Sequence, residues 1–136
     1  MNESGSDRGR VSFDVPALSQ GAFSATWRLA DASLVVRLAG SADSEIAPAL
    51  GTFLQRMHAE AVRATIREVV LDFRELNFLT SSCIKYLVVA IHRLAETTSE
   101  HRYELRLVSS PSMRWQARSF EVLRQVAPDL VRIDRE

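Results

Sequence analysis

The chain has a single cysteine, no apolar run longer than the six residues 86–91, and no excess of charge of either sign. Each shortage excludes something. A lone Cys83 cannot close an internal disulfide, so this is not a fold stapled for an oxidising compartment. Seventeen basic residues balance seventeen acidic ones, so overall electrostatics favour neither nucleic acid, nor an anionic membrane, nor an acidic polymer. The longest apolar run is far short of the roughly 18 to 20 residues that span a bilayer, which predicts a soluble protein. The first ten residues lack the apolar segment of a secretory signal, and a cytoplasmic location is expected. His58, His92 and His101 show no ligand spacing to one another or to Cys83; each reads as a surface or boundary residue, and no metal or other cofactor is expected. A Gly-rich phosphate loop, a carboxylate pair and a His dyad are all missing. That leaves Cys83, at a helix start that would lower a thiol pKa, as the weak basis for an enzyme, and no catalytic residue is assigned.

What is present is one domain's worth of core, with 46% hydrophobic residues in 136. Residues 1–20 are mostly polar and carry glycine and serine, which predicts a flexible tail followed by a single domain over 21–136. Phe23, Ala25, Trp27 and Leu29 alternate with smaller or polar residues, and after a turn at 31–33 a second apolar run spans 34–38. These predict two antiparallel strands. Ile46, Leu50, Phe53, Leu54, Met57 and Ala61 then recur at helical spacing, with Asp43 or Ser44 as the cap and Glu45 at the positive end.

Residues 69–73 form an apolar, branched run broken only by Asp72, which predicts a central strand covered on both faces. A short loop over 74–79 and the hydroxyl cluster Thr80-Ser81-Ser82 then lead into a helix to about residue 95, with Ile84, Leu87, Val88, Ile91 and Leu94 along one stripe. Tyr103, Leu105 and Leu107 alternate as a strand, and Ser110-Pro111 predicts a cap and first-turn proline for a third helix whose inward stripe is Met113, Ala117, Phe120 and Leu123. Val131 and Ile133 fit a short final strand. The order of strands and helices implies an α/β fold with parallel pairing through right-handed crossovers. Sites in such sheets gather at the carboxyl ends of the parallel strands, here the loops 40–43, 74–81 and 109–112.

The run from Val69 to Cys83, with Gly40-Ser41-Ala42-Asp43 upstream of it, resembles the STAS domain of bacterial anti-sigma factor antagonists over about residues 25–133. The resemblance implies a small mixed sheet with an N-terminal antiparallel strand pair and helices after the later strands. It also implies a signal-transduction module that docks on an anti-sigma factor or serine kinase of the GHKL type, released by phosphorylation of a serine. The family pattern Asp-Ser-Ser-Gly stands here as Thr80-Ser81-Ser82-Cys83, and Gly40 and Asp43 match its Gly-x-x-Asp. Ser81 takes the phosphoacceptor position, with Ser82 and Thr80 as alternates. Gly40, Ser41, Asp43, Thr80, Ser82, Cys83 and Lys85 are the implied partner-binding residues.

Each feature also has a plainer reading. Thr-Ser-Ser ahead of an apolar stripe is a common helix start, and Lys85 is as readily solvated, or paired with Glu75, as facing a phosphate. Asp72 caps the loop after its strand, and Trp115 is either a partner-facing aromatic or a half-buried edge residue. Thr80 in place of the acid keeps N-cap chemistry but removes a negative charge, and Cys83 in place of glycine adds a side chain. Both favour the alternative of a STAS-like scaffold that is never phosphorylated. The partner's identity and the oligomeric state are not readable from the sequence.

Overall fold

The computed structural model describes residues 15–136. Its elements are β1 (Leu18–Gln20), β2 (Phe23–Ala30), β3 (Ser33–Ala42), α1 (Ala47–Arg63), β4 (Glu68–Leu79), α2 (Ser81–Ala95), a 3-10 turn (Ser99–His101), β5 (Glu104–Ser109), α3 (Arg114–Val126) and β6 (Val131–Arg135). The six strands lie in one sheet in sequence order. β1, β2 and β3 pair antiparallel, whereas β3, β4, β5 and β6 pair parallel. This is the mixed α/β sheet with an N-terminal antiparallel pair that the sequence predicts. No described helix is long and apolar enough to cross a membrane.

The N-terminal boundary differs from the predicted one. Residues 1–14 of the expected tail lie outside the described residues, but Val15 is buried in the core and Leu18–Gln20 pairs with β2. The Val15 carbonyl accepts a 2.6 Å bond from the Trp27 indole Nε1, so residues 15–20 belong to the fold.

One face of the sheet is covered. Leu34, Val36 and Leu38 of β3, Val69, Leu71 and Phe73 of β4, and Leu105 and Leu107 of β5 share a single core with the apolar stripes of α1, α2 and α3. Phe73 meets Phe120 of α3 with ring centroids 4.6 Å apart, a contact worth about 0.5–1.5 kcal/mol beyond area burial. Gly51 of α1 lets the Tyr86 ring of α2 come close, since a Cβ there would sit 2.5 Å from it.

The opposite face carries charge, which corrects the expectation that β4 is covered on both sides. Val70 and Val108 are buried there but stand outside the main core, beside Arg106 and Asp72 in the β4–β5 register. Arg106 binds Asp134 at 2.6 Å and lies 3.7 Å from Glu68, tying β4, β5 and β6 together. Arg37 pairs with Glu75 and Arg74 with Asp72, so the open face is a set of neutralised ion pairs.

Two helices start later than predicted. Neither Asp43 nor Ser44 caps α1: the Asp43 carboxylate accepts from Glu45 N at 3.0 Å in a turn, and the helix opens at Ala47 with Pro48 in its first turn. Pro111 likewise lies in a turn before α3, which opens at Arg114 without a side-chain cap. The rotation of α3 puts Gln116 inward with Phe120 and Leu123, and leaves Ala117 exposed.

His58, read from sequence as a surface or boundary residue, is buried on α1; His92 and His101 are exposed. His58 Nδ1 lies 2.7 Å from the Tyr103 hydroxyl, and Nε2 lies 3.3 Å from Thr97 Oγ1. Burial, helped by the nearby Arg93, holds the imidazole pKa below its usual value. Protonation therefore favours the unfolded chain. Stability contributed by neutral His58 is complete above about pH 6.5 and is lost as pH falls below it. Urea titrations at about pH 7.5 and pH 5 should show the wild type losing stability on acidification, with a smaller loss in His58→Gln. Equal losses in the two proteins would place the proton uptake elsewhere.

Candidate functional site

β4 is the element that builds the site. The sequence reads 74–79 as a loop, but the strand continues to Leu79, with register shifts against β3 that leave two extra residues on β4. Arg37 pairs with Asp72 but Ala39 with Glu75, and Gly40 pairs with Leu76 but Ser41 with Phe78. These are β-bulges; they interrupt the ladder and free backbone groups. Gln116 of α3, fully buried, answers them. Its Nε2 donates to the carbonyls of Phe73 at 2.7 Å and Leu76 at 3.1 Å, while its Oε1 accepts from Ser110 N at 2.9 Å.

This routing delivers the end of β4 to the end of β3. Leu79 pairs with Ala42, and Thr80 N donates to the Ala42 carbonyl at 3.0 Å. The two stretches singled out from sequence, 40–43 and 80–83, therefore adjoin. Thr80 is extended and caps α2, its hydroxyl accepting from Cys83 N at 3.4 Å, as its hydroxyl chemistry predicts. Ser81 and Ser82 open the helix with exposed side chains. The first turn leaves amide N–H groups without intrahelical acceptors, and these point at the same end as the serines.

Cys83 is fully buried beneath the junction, with Sγ 3.6 Å from the Ala42 carbonyl and 3.4 Å from that of Asp43. Burial pushes its thiol pKa up, and nearby Asp43 adds to the shift. Desolvation thus outweighs the Thr80 hydrogen bonds that would lower it, and the thiol faces the interior instead of a substrate. Gly40 serves the backbone: at φ +91° a Cβ would sit 1.7 Å from the Ala22 carbonyl, which accepts from Ser41 N at 3.0 Å. Asp43, exposed, shapes its own turn.

Lys85 is exposed on α2, one turn from Ser81; Glu75 is engaged with Arg37 on the open sheet face. Asp72 lies within β4, not at its end, and there accepts from Arg74 N at 3.1 Å and from the Arg74 guanidinium at 2.8 and 3.0 Å. Those bonds hold its carboxyl below the usual range. Trp115 is half-buried, edge-on to Phe120 at 6.3 Å.

Two contributors were missed in the sequence. Gln116 falls at helical spacing with Phe120 and Leu123, a signal that its polar side chain obscures. Phe78, 51% exposed, reads in the sequence only as part of the short loop 74–79. Its exposure beside Ser41 and three residues before Ser81 gives the hydroxyl cluster an apolar neighbour, while Val89, 41% exposed, lies two turns further along α2.

No family model and no curated protein sequence matches the chain. Solved structures do. An anti-sigma factor antagonist from Mycobacterium paratuberculosis superposes with a TM-score of 0.61 at 20% identity, over 85% of this chain and 90% of that one. The anti-sigma factor antagonist SpoIIAA in its unphosphorylated form superposes with a TM-score of 0.54 at 18% identity, over 82% and 89%. The chain thus has the STAS-like fold of the anti-sigma factor antagonists, as the hydroxyl loop implied.

Replacing Gln116 with leucine keeps the volume but orphans two carbonyls and an amide. Gln116→Leu should destabilise the protein by about 2–4 kcal/mol in urea unfolding. A change below about 0.5 kcal/mol would show that the bulges do not need the amide.

Proposed function

We propose that this protein is an anti-sigma factor antagonist: a non-catalytic module that captures an anti-sigma factor or serine kinase and is released by phosphorylation of Ser81. The observation that carries the reading is the joint placement of Ser81 and Ser82. Both are exposed at the start of α2, at the carboxyl end of β4 and against the 40–43 loop, on a fold shared with anti-sigma factor antagonists.

The chemistry of release follows from position. A phosphate on Ser81 would carry nearly two negative charges onto a helix N-terminus, where free amides and the dipole stabilise it. It need unfold nothing. Lys85, one turn away, would see the same charge. The partner would meet a dianion where it had met a neutral hydroxyl close to Phe78. Desolvating that charge against an apolar contact is unfavourable by several kcal/mol, enough to reverse a micromolar complex. Thr80 supplies the cap without the acid's charge, so the phosphate would be the main negative group on the rim. Asp43, exposed on the adjoining loop, is the nearest acid in the implied partner set. Control of an anti-sigma factor places the protein in the cytoplasm of a bacterium. The GHKL kinase class remains part of this proposal, as the source of the phosphate.

Mass spectrometry of protein purified from native cells should find a phosphate on Ser81 that Ser81→Ala removes. Ser81→Asp should weaken partner binding at least tenfold while Ser81→Ala retains it, and Phe78→Ala should weaken it by about 1–2 kcal/mol. An unmodified serine under every growth condition, with Ser81→Ala and Ser81→Asp binding equally, would leave a constitutive STAS-like scaffold instead.

A further inference from the structure

α3 presents an outer face that the Ser81 site does not use. Arg114 and Arg118, one turn apart and both exposed, enter no ion pair among the described residues. Arg124 on the same helix is by contrast paired with Glu121, whose carboxylate also accepts from Gln125 at 3.0 Å. Trp115, between Arg114 and Arg118 in sequence, has an indole Nε1 that is covered from solvent and has no hydrogen-bond partner among the described residues. Ser119 completes a shallow depression with these three residues. Val122, the next residue along this face, is 55% exposed.

The charge at this depression is one-sided, although the chain as a whole balances seventeen basic against seventeen acidic residues. Every hydrogen-bonding side chain lining the depression is a donor, Ser119 alone being able to accept as well, and the acid nearest it along the helix, Glu121, is satisfied. Two guanidiniums one helical turn apart are spaced to hold two carboxylates, each in a forked pair, and Val122 gives an apolar side chain a place beside them.

We propose that the Arg114-Trp115-Arg118 face of α3 docks an acidic protein segment, two carboxylates followed by an apolar anchor. This surface is separate from the serine cluster and stands whether or not Ser81 is phosphorylated. A polyanion without apolar groups, such as nucleic acid, would engage the arginines but leave Val122 uncovered.

The test is a titration of the ¹⁵N-labelled full-length protein with a capped peptide of alternating glutamate and leucine pairs, following the Trp115 indole N–H resonance assigned through Trp115→Phe. A saturating downfield shift is expected, absent with the glutamine counterpart of the peptide. Arg114→Gln with Arg118→Gln, at exposed positions that leave the core intact, should weaken the peptide at least tenfold. An indole resonance that does not move would overturn the proposal. So would equal binding by the double variant, shifts confined to residues around Ser81 and Lys85, or equal displacement by a thymidine oligonucleotide.

Discussion

The parallel pairing of β3 with β4 is the contact on which the rest of the structure depends. It joins the antiparallel N-terminal hairpin to the parallel half of the sheet, and at its far end it sets Ala42 against Thr80. The pairing is irregular, with two extra residues on β4, and an irregular ladder needs its freed polar groups satisfied. Gln116 does this from a helix more than forty residues downstream of Phe73. A fold element that carries no exposed chemistry thereby sets the position of the element that does.

The open face of the sheet follows a different logic. Three helices suffice to cover one side, and the other is kept in water by arginine–carboxylate pairs. Exposed pairs of this kind add little stability, but they leave few unpaired charges and little apolar surface to recruit a partner. Among the described residues the large exposed apolar side chains are Phe78, just ahead of the serine cluster, Val89 on α2 and Val122 on α3. The proposed docking at the rim would cover Phe78.

Cys83 shows how one position can be read two ways from sequence and one way in space. A thiol at a helix start is where reactivity is expected. Here the side chain points under the 40–43 loop, and its burial raises the pKa. Its bulk fills the space under the junction, so the departure from glycine reads as packing. Gly40 makes the converse point, since its match to a family motif is explained by contact with the Ala22 carbonyl before any partner is considered.

Elements with strong local signals were legible in the sequence: the alternation of 23–29, the stripes of α1 and α2, the Thr80 cap and the succession of strands and helices after β1. Their residues state their own environment, because periodicity and hydroxyl capping are properties of a few consecutive positions. What only the tertiary structure decided was everything set by residues distant in the chain. The extension of β4 to Leu79 is one case, since residues 74–79 look like a loop until β3 pairs with Glu75, Leu76, Phe78 and Leu79. The rotation of α3 that buries Gln116 is another, as are the single covered face and the burial of His58 against Tyr103. The hydroxyl cluster was visible as a helix start from its own three residues. That it stands beside the 40–43 loop, next to an exposed phenylalanine, was decided by hydrogen bonds reaching across the sheet, which no local window contains.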